Sequence, residues 1–231
     1  PLTLILERTP DCPISSQASA GLSTLAIRAP DHAIAQSILQ GTARPLAAPS
    51  ANPSGRLSPT TAQHVADGLG HAVSTILDGG PCRIGVESTV LALNGAVPTI
   101  LRPGAVTRDA LVKVLGTPVD ILAEKTDGHP VRSPGMLASH YAPRAILRLE
   151  ADTVTSEEGL LSLGNVEPPG AAITRNLSNS GNLAEAAGAF YACLREIDKT
   201  GVPVIAVVPI PGHGIGAAIN DRLRRAAAPR A

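Results

Sequence analysis

The sequence predicts an α/β protein, and three observations carry the prediction. Short runs rich in Val, Ile and Leu alternate with segments whose apolar residues recur at helical spacing. The joints are punctuated by glycine and proline, 22 and 21 in 231 residues, which supplies many turns without a disordered composition. The chain is 44% hydrophobic but only 1% aromatic, so its core must be built from Ala, Val, Ile and Leu.

Leu2 to Leu6 reads as a short strand, and Asp11 to Ala20 as a polar loop. Leu25 to Arg28 reads as a strand that ends in a cation. Asp31 is the expected cap of a helix in which Ile34, Ala35, Ile38 and Leu39 share a face, with Gly41 as its stop. Leu46 to Ala48 leads into a Ser/Pro-rich loop. Ser58 is the expected N-cap of the next helix, with Pro59 at its first position. That helix aligns Ala62, Val65, Ala66 and Leu69 and ends at Gly70. Ala72 to Leu77 is an expected strand, closed by Asp78-Gly79-Gly80. Glu87 to Leu93 and Val97 to Leu101 form an expected hairpin across Asn94-Gly95. Thr107 caps a helix with Leu111, Val112, Val114 and Leu115, closed by Gly116.

Here the first domain, 1–123, is expected to end. The stretch 124–143 is polar, rich in Gly, Pro and Ser, and without a period, so it reads as a linker. The second domain, 144–231, repeats the strand–helix alternation. Ile146 to Leu149, Leu160 to Leu163, Ala171 to Thr174 and Val204 to Ile210 are its strand candidates. A long helix from Leu183 to Lys199 aligns Leu183, Ala187, Phe190, Leu194 and Ile197. Gly212 to Gly216 precedes a last helix with Ile215, Ile219 and Leu223. This glycine run lacks the spacing of a dinucleotide fingerprint and reads as a tight turn. Arg222, Arg224 and Arg225 are expected at the end of that helix, where cations suit the dipole.

Formal net charge is zero, so no overall basic field is available to hold nucleic acid. Cations are mostly arginine, which suits bidentate contact with carboxylate or phosphate. Cys12, Cys82 and Cys193 are far apart and have no ligand spacing, so each is expected as a small buried residue, with neither zinc nor disulfide. His140 has no second His or Cys at ligand spacing, and no metal site is read. No segment reaches the ~18 apolar residues a membrane span needs. A reduced, cytoplasmic protein is the default expectation.

The chemistry is concentrated in Leu46 to Thr60, with three serines, an asparagine, a glycine, an arginine and three prolines. The prolines leave the loop little freedom to lose on binding. Its hydroxyls and amide offer short neutral hydrogen bonds, and a helix N-terminus behind them favours an anion. An ordinary strand-to-helix connection is the alternative.

Pro49-Ser50-Ala51-Asn52, Ser54-Gly55-Arg56 and Ser58-Pro59-Thr60 resemble the signature loop of the Sua5/YrdC family. Four further stretches agree in order: Ala20 to Arg28, Gly85-Val86-Glu87-Ser88-Thr89-Val90, Leu101-Arg102-Pro103-Gly104, and Ser133-Pro134-Gly135-Met136 running to His140-Tyr141-Ala142-Pro143. The last resembles the linker of the long, two-domain Sua5 form. The resemblance implies a partial YrdC-like twisted-sheet α/β domain, a linker, and a small Rossmann-like Sua5 domain.

It also implies a threonylcarbamoyl-AMP synthase, a nucleotidyltransferase that joins L-threonine, bicarbonate and ATP, with Mg2+ at the phosphates. Its product serves tRNA through a second enzyme. Arg28, Ala48 and Ser88 match threonine contacts. Thr24, Ser50, Ser58, Arg102 and Tyr141 match ATP contacts, with Asn52 and Arg56 as neighbours. Arg28, Ser50, Ser88 and Arg102 are expected to face one cavity. For Arg28 the alternative is a surface arginine, for Ala48 a core alanine, for Ser88 the polar start of a strand, and for Arg102 a solvent-exposed hairpin end. Tyr141, an aromatic in a polar loop with no core to join, is expected as a lid over the nucleotide.

The chain begins at Pro1 with a strand. In the family this stretch lies inside the catalytic domain. The family's Lys-x-Arg motif has no match here, so the catalytic residues are unassigned and little or no product is expected from this chain alone. Two other readings are an RNA-binding YrdC-like module, disfavoured by zero net charge and few aromatics, and a carbamoyl transferase of the hydrogenase-maturation type, disfavoured by the Sua5-type linker and second domain.

Overall fold

The computed structural model describes residues 1–122 and 140–229. Most of the expected linker, with its Ser133 to Met136 motif, lies outside the described residues. In chain order the elements are β1 (Leu2–Glu7), β2 (Thr24–Ile27), α1 (Ala33–Thr42), α2 (Ala62–Leu69), β3 (Thr89–Ala92), β4 (Thr99–Arg102), α3 (Arg108–Leu115), β5 (Asp120–Ile121), β6 (Ile146–Arg148), β7 (Gly159–Ser162), β8 (Ile173–Asn176), α4 (Leu183–Lys199), β9 (Val204–Val207) and α5 (Gly216–Ala227). By packing they fall into two units. The first takes 1–49 and 87–122, and the second takes 50–86 and 140–229. The sequence reading puts 50–86 in the first domain, whereas this segment packs with the second unit.

The first unit is a mixed five-stranded sheet in the order β2-β1-β3-β4-β5. Its central strand β3 is buried along its whole length, because the pleat sends alternate side chains to opposite faces. Val90 and Ala92 pack with Ile5 and Leu101 on one face. Leu91 packs with Ile100, Val119 and Leu111 of α3 on the other. Helix α3 matches its expected bounds: the Thr107 side chain accepts from Ala110 N–H, and Gly116 closes it at φ 67°. Helix α1 departs from expectation. Its N-cap is His32 rather than Asp31, it passes through Gly41, and Ala43 ends it at φ 48°. None of its residues is buried; Ile34 and Ile38 are exposed. The β3–β4 hairpin is present, but Leu93 to Pro98 separate its strands, so Asn94-Gly95 is not a two-residue turn.

The second unit holds a four-stranded, all-parallel sheet in the order β6-β9-β7-β8. Helix α4 runs over its predicted span. The Asn182 side chain accepts from Ala184 and Glu185 N–H, and Ala186, Phe190, Leu194 and Ile197 are buried. Segment 50–86 seats on this helix. Arg195 donates to the Leu57 carbonyl, and Lys199 pairs with Asp67 at 3.5 Å. At Gly85, φ 77°, a Cβ would come within 2.1 Å of the Ala187 carbonyl oxygen, so only glycine allows the approach.

Three further expectations fail. Residues 73–77 form no strand. Helix α2 starts three residues later than expected, with Thr61 as N-cap in place of Ser58, because Thr61 is the hydroxyl that accepts from His64 N–H. Cys82 is exposed and Cys12 and Cys193 are only half-buried, so none is a buried core residue.

Candidate functional site

In the first unit the register gathers the predicted residues at one end of the sheet. Strand β1 runs antiparallel to β2 and parallel to β3, while β4 runs antiparallel to β3. Arg28, one past the end of β2, therefore lies at the same end as Thr3 of β1, Ser88 before β3, and Arg102 at the end of β4. Arg28 is exposed there. Two strand spacings, about 10 Å, separate the β2 and β3 positions.

Ser88 and Arg102 are both buried and in contact. Arg102 Nε and Nη2 donate to the Ser88 carbonyl at 3.1 and 3.0 Å, and Nη2 reaches the Ser88 hydroxyl at 3.2 Å. Arg102 is thus no solvent-exposed hairpin end. The Ser88 hydroxyl also shares a 2.7 Å hydrogen bond with Thr3. Beside it, Thr89 Oγ1 donates to the Val106 carbonyl at 2.7 Å and accepts from Val106 N–H at 3.1 Å. Gly104 lies against this peptide, where a Cβ would sit 2.3 Å from Thr89 N. The outcome is a rigid Ser–Arg corner fixed by three strands, a form of pre-organisation that suits an anion or a carbonyl.

Thr3 escaped the sequence reading, its only signal a hydroxyl at the mouth of an otherwise apolar strand, and Thr89 entered it only within the Gly85 to Val90 stretch. Thr24 is half-buried on β2 and pairs with Glu7, and Ala48 is exposed.

In the second unit the signature loop is built by its own chemistry. Asn52 Nδ2 donates to the Pro53 and Arg56 carbonyls at 2.9 and 3.1 Å, and Arg56 N–H donates to Pro53 O at 3.1 Å. Gly55 takes φ 79°, the value the third position of a type II turn demands. Asn52 therefore staples the loop. Ser50 and Arg56 are exposed, while Leu57, Ser58 and Thr60 are buried. Thr60 N–H donates to His64 Nδ1 at 3.2 Å, which keeps that ring nitrogen an acceptor. Burial lowers the pKa of His64 first, and Arg195 and Lys199 lower it further.

Tyr141 requires a correction. Far from lacking a core, its ring is 2% exposed and belongs to the main core cluster, with Leu57 and Tyr191. Its ring centroid is 4.1 Å from that of His140 and 6.1 Å from that of Tyr191. Arg222 is corrected likewise: it lies inside α5, completely buried, and not at an exposed helix end.

Among the described residues no group of three His, Cys, Asp or Glu side chains is placed to hold a metal. No helix among them is long and apolar enough to cross a membrane.

Comparison with known proteins finds two family models that together span nearly the whole chain. The Sua5/YciO/YrdC family model, described as telomere recombination, matches residues 1–104. A second model, described as the threonylcarbamoyl-AMP synthase C-terminal domain, matches residues 106–228. The threonylcarbamoyl-AMP synthase of Bacillus subtilis (strain 168) is 38% identical over 99% of this chain and 70% of its own length. That of Pyrococcus abyssi is 36% identical over 98% of this chain and 70% of its own. The crystal structure of P. abyssi Sua5 complexed with L-threonine superposes with a TM-score of 0.86 at 33% identity, covering 98% of this chain and 70% of that one.

Proposed function

The chain belongs to the Sua5/YrdC family of threonylcarbamoyl-AMP synthases, and we propose that it handles L-threonine at the Ser88–Arg102 corner and ATP at the signature loop. The function is threonylcarbamoyl-AMP synthesis, and the enzyme is a transferase that uses threonine and ATP. The finer reaction is a nucleotidyl transfer. The threonine nitrogen bonds to the carbon of bicarbonate with loss of water. A carbamate oxygen then bonds to the α-phosphorus as the bond to pyrophosphate breaks.

Such a step asks the protein mainly for positioning and for stabilised charge. Arg28, Ala48 and Ser88 take threonine in this reading, with the exposed Arg28 guanidinium on the carboxylate in fork geometry. Thr24, Ser50, Ser58, Arg102 and Tyr141 serve ATP, with Asn52 and Arg56 shaping the loop around it. Arg102 does so while fixing the Ser88 peptide. Mg2+ would come with the ATP phosphates, which normally supply much of its coordination. The product would pass to a separate transferase acting on tRNA, and the setting would be cytoplasmic. The match of residues 106–228 to a threonylcarbamoyl-AMP synthase domain favours neither the RNA-binding module nor the hydrogenase-maturation carbamoyl transferase.

The observation that carries this reading is the placement of Arg28, Ser88 and Arg102 at one sheet end. Titration calorimetry with L-threonine tests it. Arg28→Ala should weaken binding about 10- to 100-fold, the loss of a charge-assisted pair. Equal affinity in the variant would remove Arg28 from the site. Pyrophosphate release that needs both L-threonine and bicarbonate checks the reaction itself.

A further inference from the structure

Arg222 heads the fully buried side chains in volume. Its Nη1 donates to Asp221 Oδ2 at 2.9 Å, and Asp221 Oδ1 accepts from Arg225 Nε at 3.1 Å. Its guanidinium carbon stands 5.5 Å from the centre of the Tyr141 ring. An ion pair buried this deeply is poor evidence for stability, because desolvation offsets its attraction. Over an aromatic face it has a direction, and it fixes where the ring lies.

The ring belongs to a short segment under constraint. Tyr141 has φ 62°, a conformation unfavourable for any residue with a Cβ, so its surroundings must impose it. His140 N–H donates to the Arg225 carbonyl at 3.1 Å, in the last turn of α5. Ala142 N–H donates to the Gly55 carbonyl at 2.8 Å, and Ala142 pairs with Arg56 as a parallel bridge. Residues 140–142 thus run from α5 to the turn of the signature loop, with the Tyr141 ring seated between.

We propose that Arg222 is a positioning residue for nucleotide binding: it holds the Tyr141 ring, and the ring holds the signature loop through Ala142. This rests on the reading that the loop binds ATP.

The test measures affinities for a non-hydrolysable ATP analogue and for L-threonine by calorimetry, with tyrosine emission followed in a Tyr191→Phe background. The chain has two tyrosines and no tryptophan, so Tyr141 is then the sole emitter. Arg222→Met should weaken the nucleotide about tenfold and leave threonine within about twofold, a split that general destabilisation would not give. Tyr141→Leu removes the ring face and should weaken the nucleotide to a similar extent. Tyr141→Leu combined with Arg222→Met should be no worse than either alone, as expected of two residues in one chain of contacts. If Arg222→Met fails to fold, Arg222→Lys keeps the charge and loses the plane. It should shift the Tyr141 emission and weaken the nucleotide several-fold. Folded Arg222 variants that bind the nucleotide as the parent does would overturn the coupling, most clearly while Ser50→Ala weakens it. Failure of the unaltered chain to bind the nucleotide would instead sink the reading of the loop.

Discussion

At Gly104 the backbone of one loop rests directly on the peptide before β3. A Cβ there would meet Thr89 N at 2.3 Å and Glu87 O at 2.7 Å; both are main-chain atoms, and Thr89 N–H is held by the Pro1 carbonyl at 2.9 Å. Neither can yield without moving Ser88. Gly104→Ala should therefore destabilise the chain by about 1–3 kcal/mol, the usual range for an overpacked site. It should also weaken L-threonine binding, because Ser88 lies between those two atoms in the chain. Urea unfolding and calorimetry on the same sample check both effects. A variant as stable as the parent would show that the loop relaxes freely.

The short helix α2 depends on contacts at its start. Thr61 caps it, and His64 one turn later reaches back to Thr60 N–H. This works with a neutral ring, and burial, Arg195 and Lys199 all hold the folded pKa of His64 below 6.5. The sign follows by linkage. Above about pH 6.5 the ring is neutral in both states and its contribution is constant. As pH falls through that value the unfolded chain takes up the proton first. Stability is then lost, by at most about 1.4 kcal/mol per pH unit, until the folded value is passed. Urea unfolding at pH 8 and pH 5.5 should show a smaller pH difference in His64→Gln than in the parent. Equal differences would mean that His64 does not report on this contact.

Across the whole chain, charge and length set the expectations. Net charge is zero, with nineteen residues of each sign, and binding to nucleic acid depends on phosphate neutralisation. Filter binding with RNA at moderate salt should accordingly show no tight complex, as the proposed hand-over to a separate transferase requires. A tight, salt-sensitive complex would revive the RNA-binding alternative. The chain spans about 70% of the B. subtilis and P. abyssi relatives.

The helices were legible where local chemistry and the apolar period agreed. Helix α4 carries Asn182 as a side-chain cap and a clean stripe from Leu183 to Ile197, so propensity and packing had one solution. Helix α3, bracketed by Thr107 and Gly116, behaved the same way. The predicted α2 start failed because three hydroxyls, Ser58, Thr60 and Thr61, compete for one cap, and burial of Ser58 and Thr60 decides among them. The strand at 72–77 failed because apolar composition does not supply a partner strand.

The sequence by itself determined the alternating α/β order, the helix stripes and the ordered motifs that mark the family, since these depend on neighbours three or four positions away. Only the tertiary structure decided that Arg102 holds the Ser88 peptide, that Tyr141 is a core residue, and that the arginine at 222 points inward to it. Those choices depend on which residues distant in the chain exclude water together, and no local pattern records that.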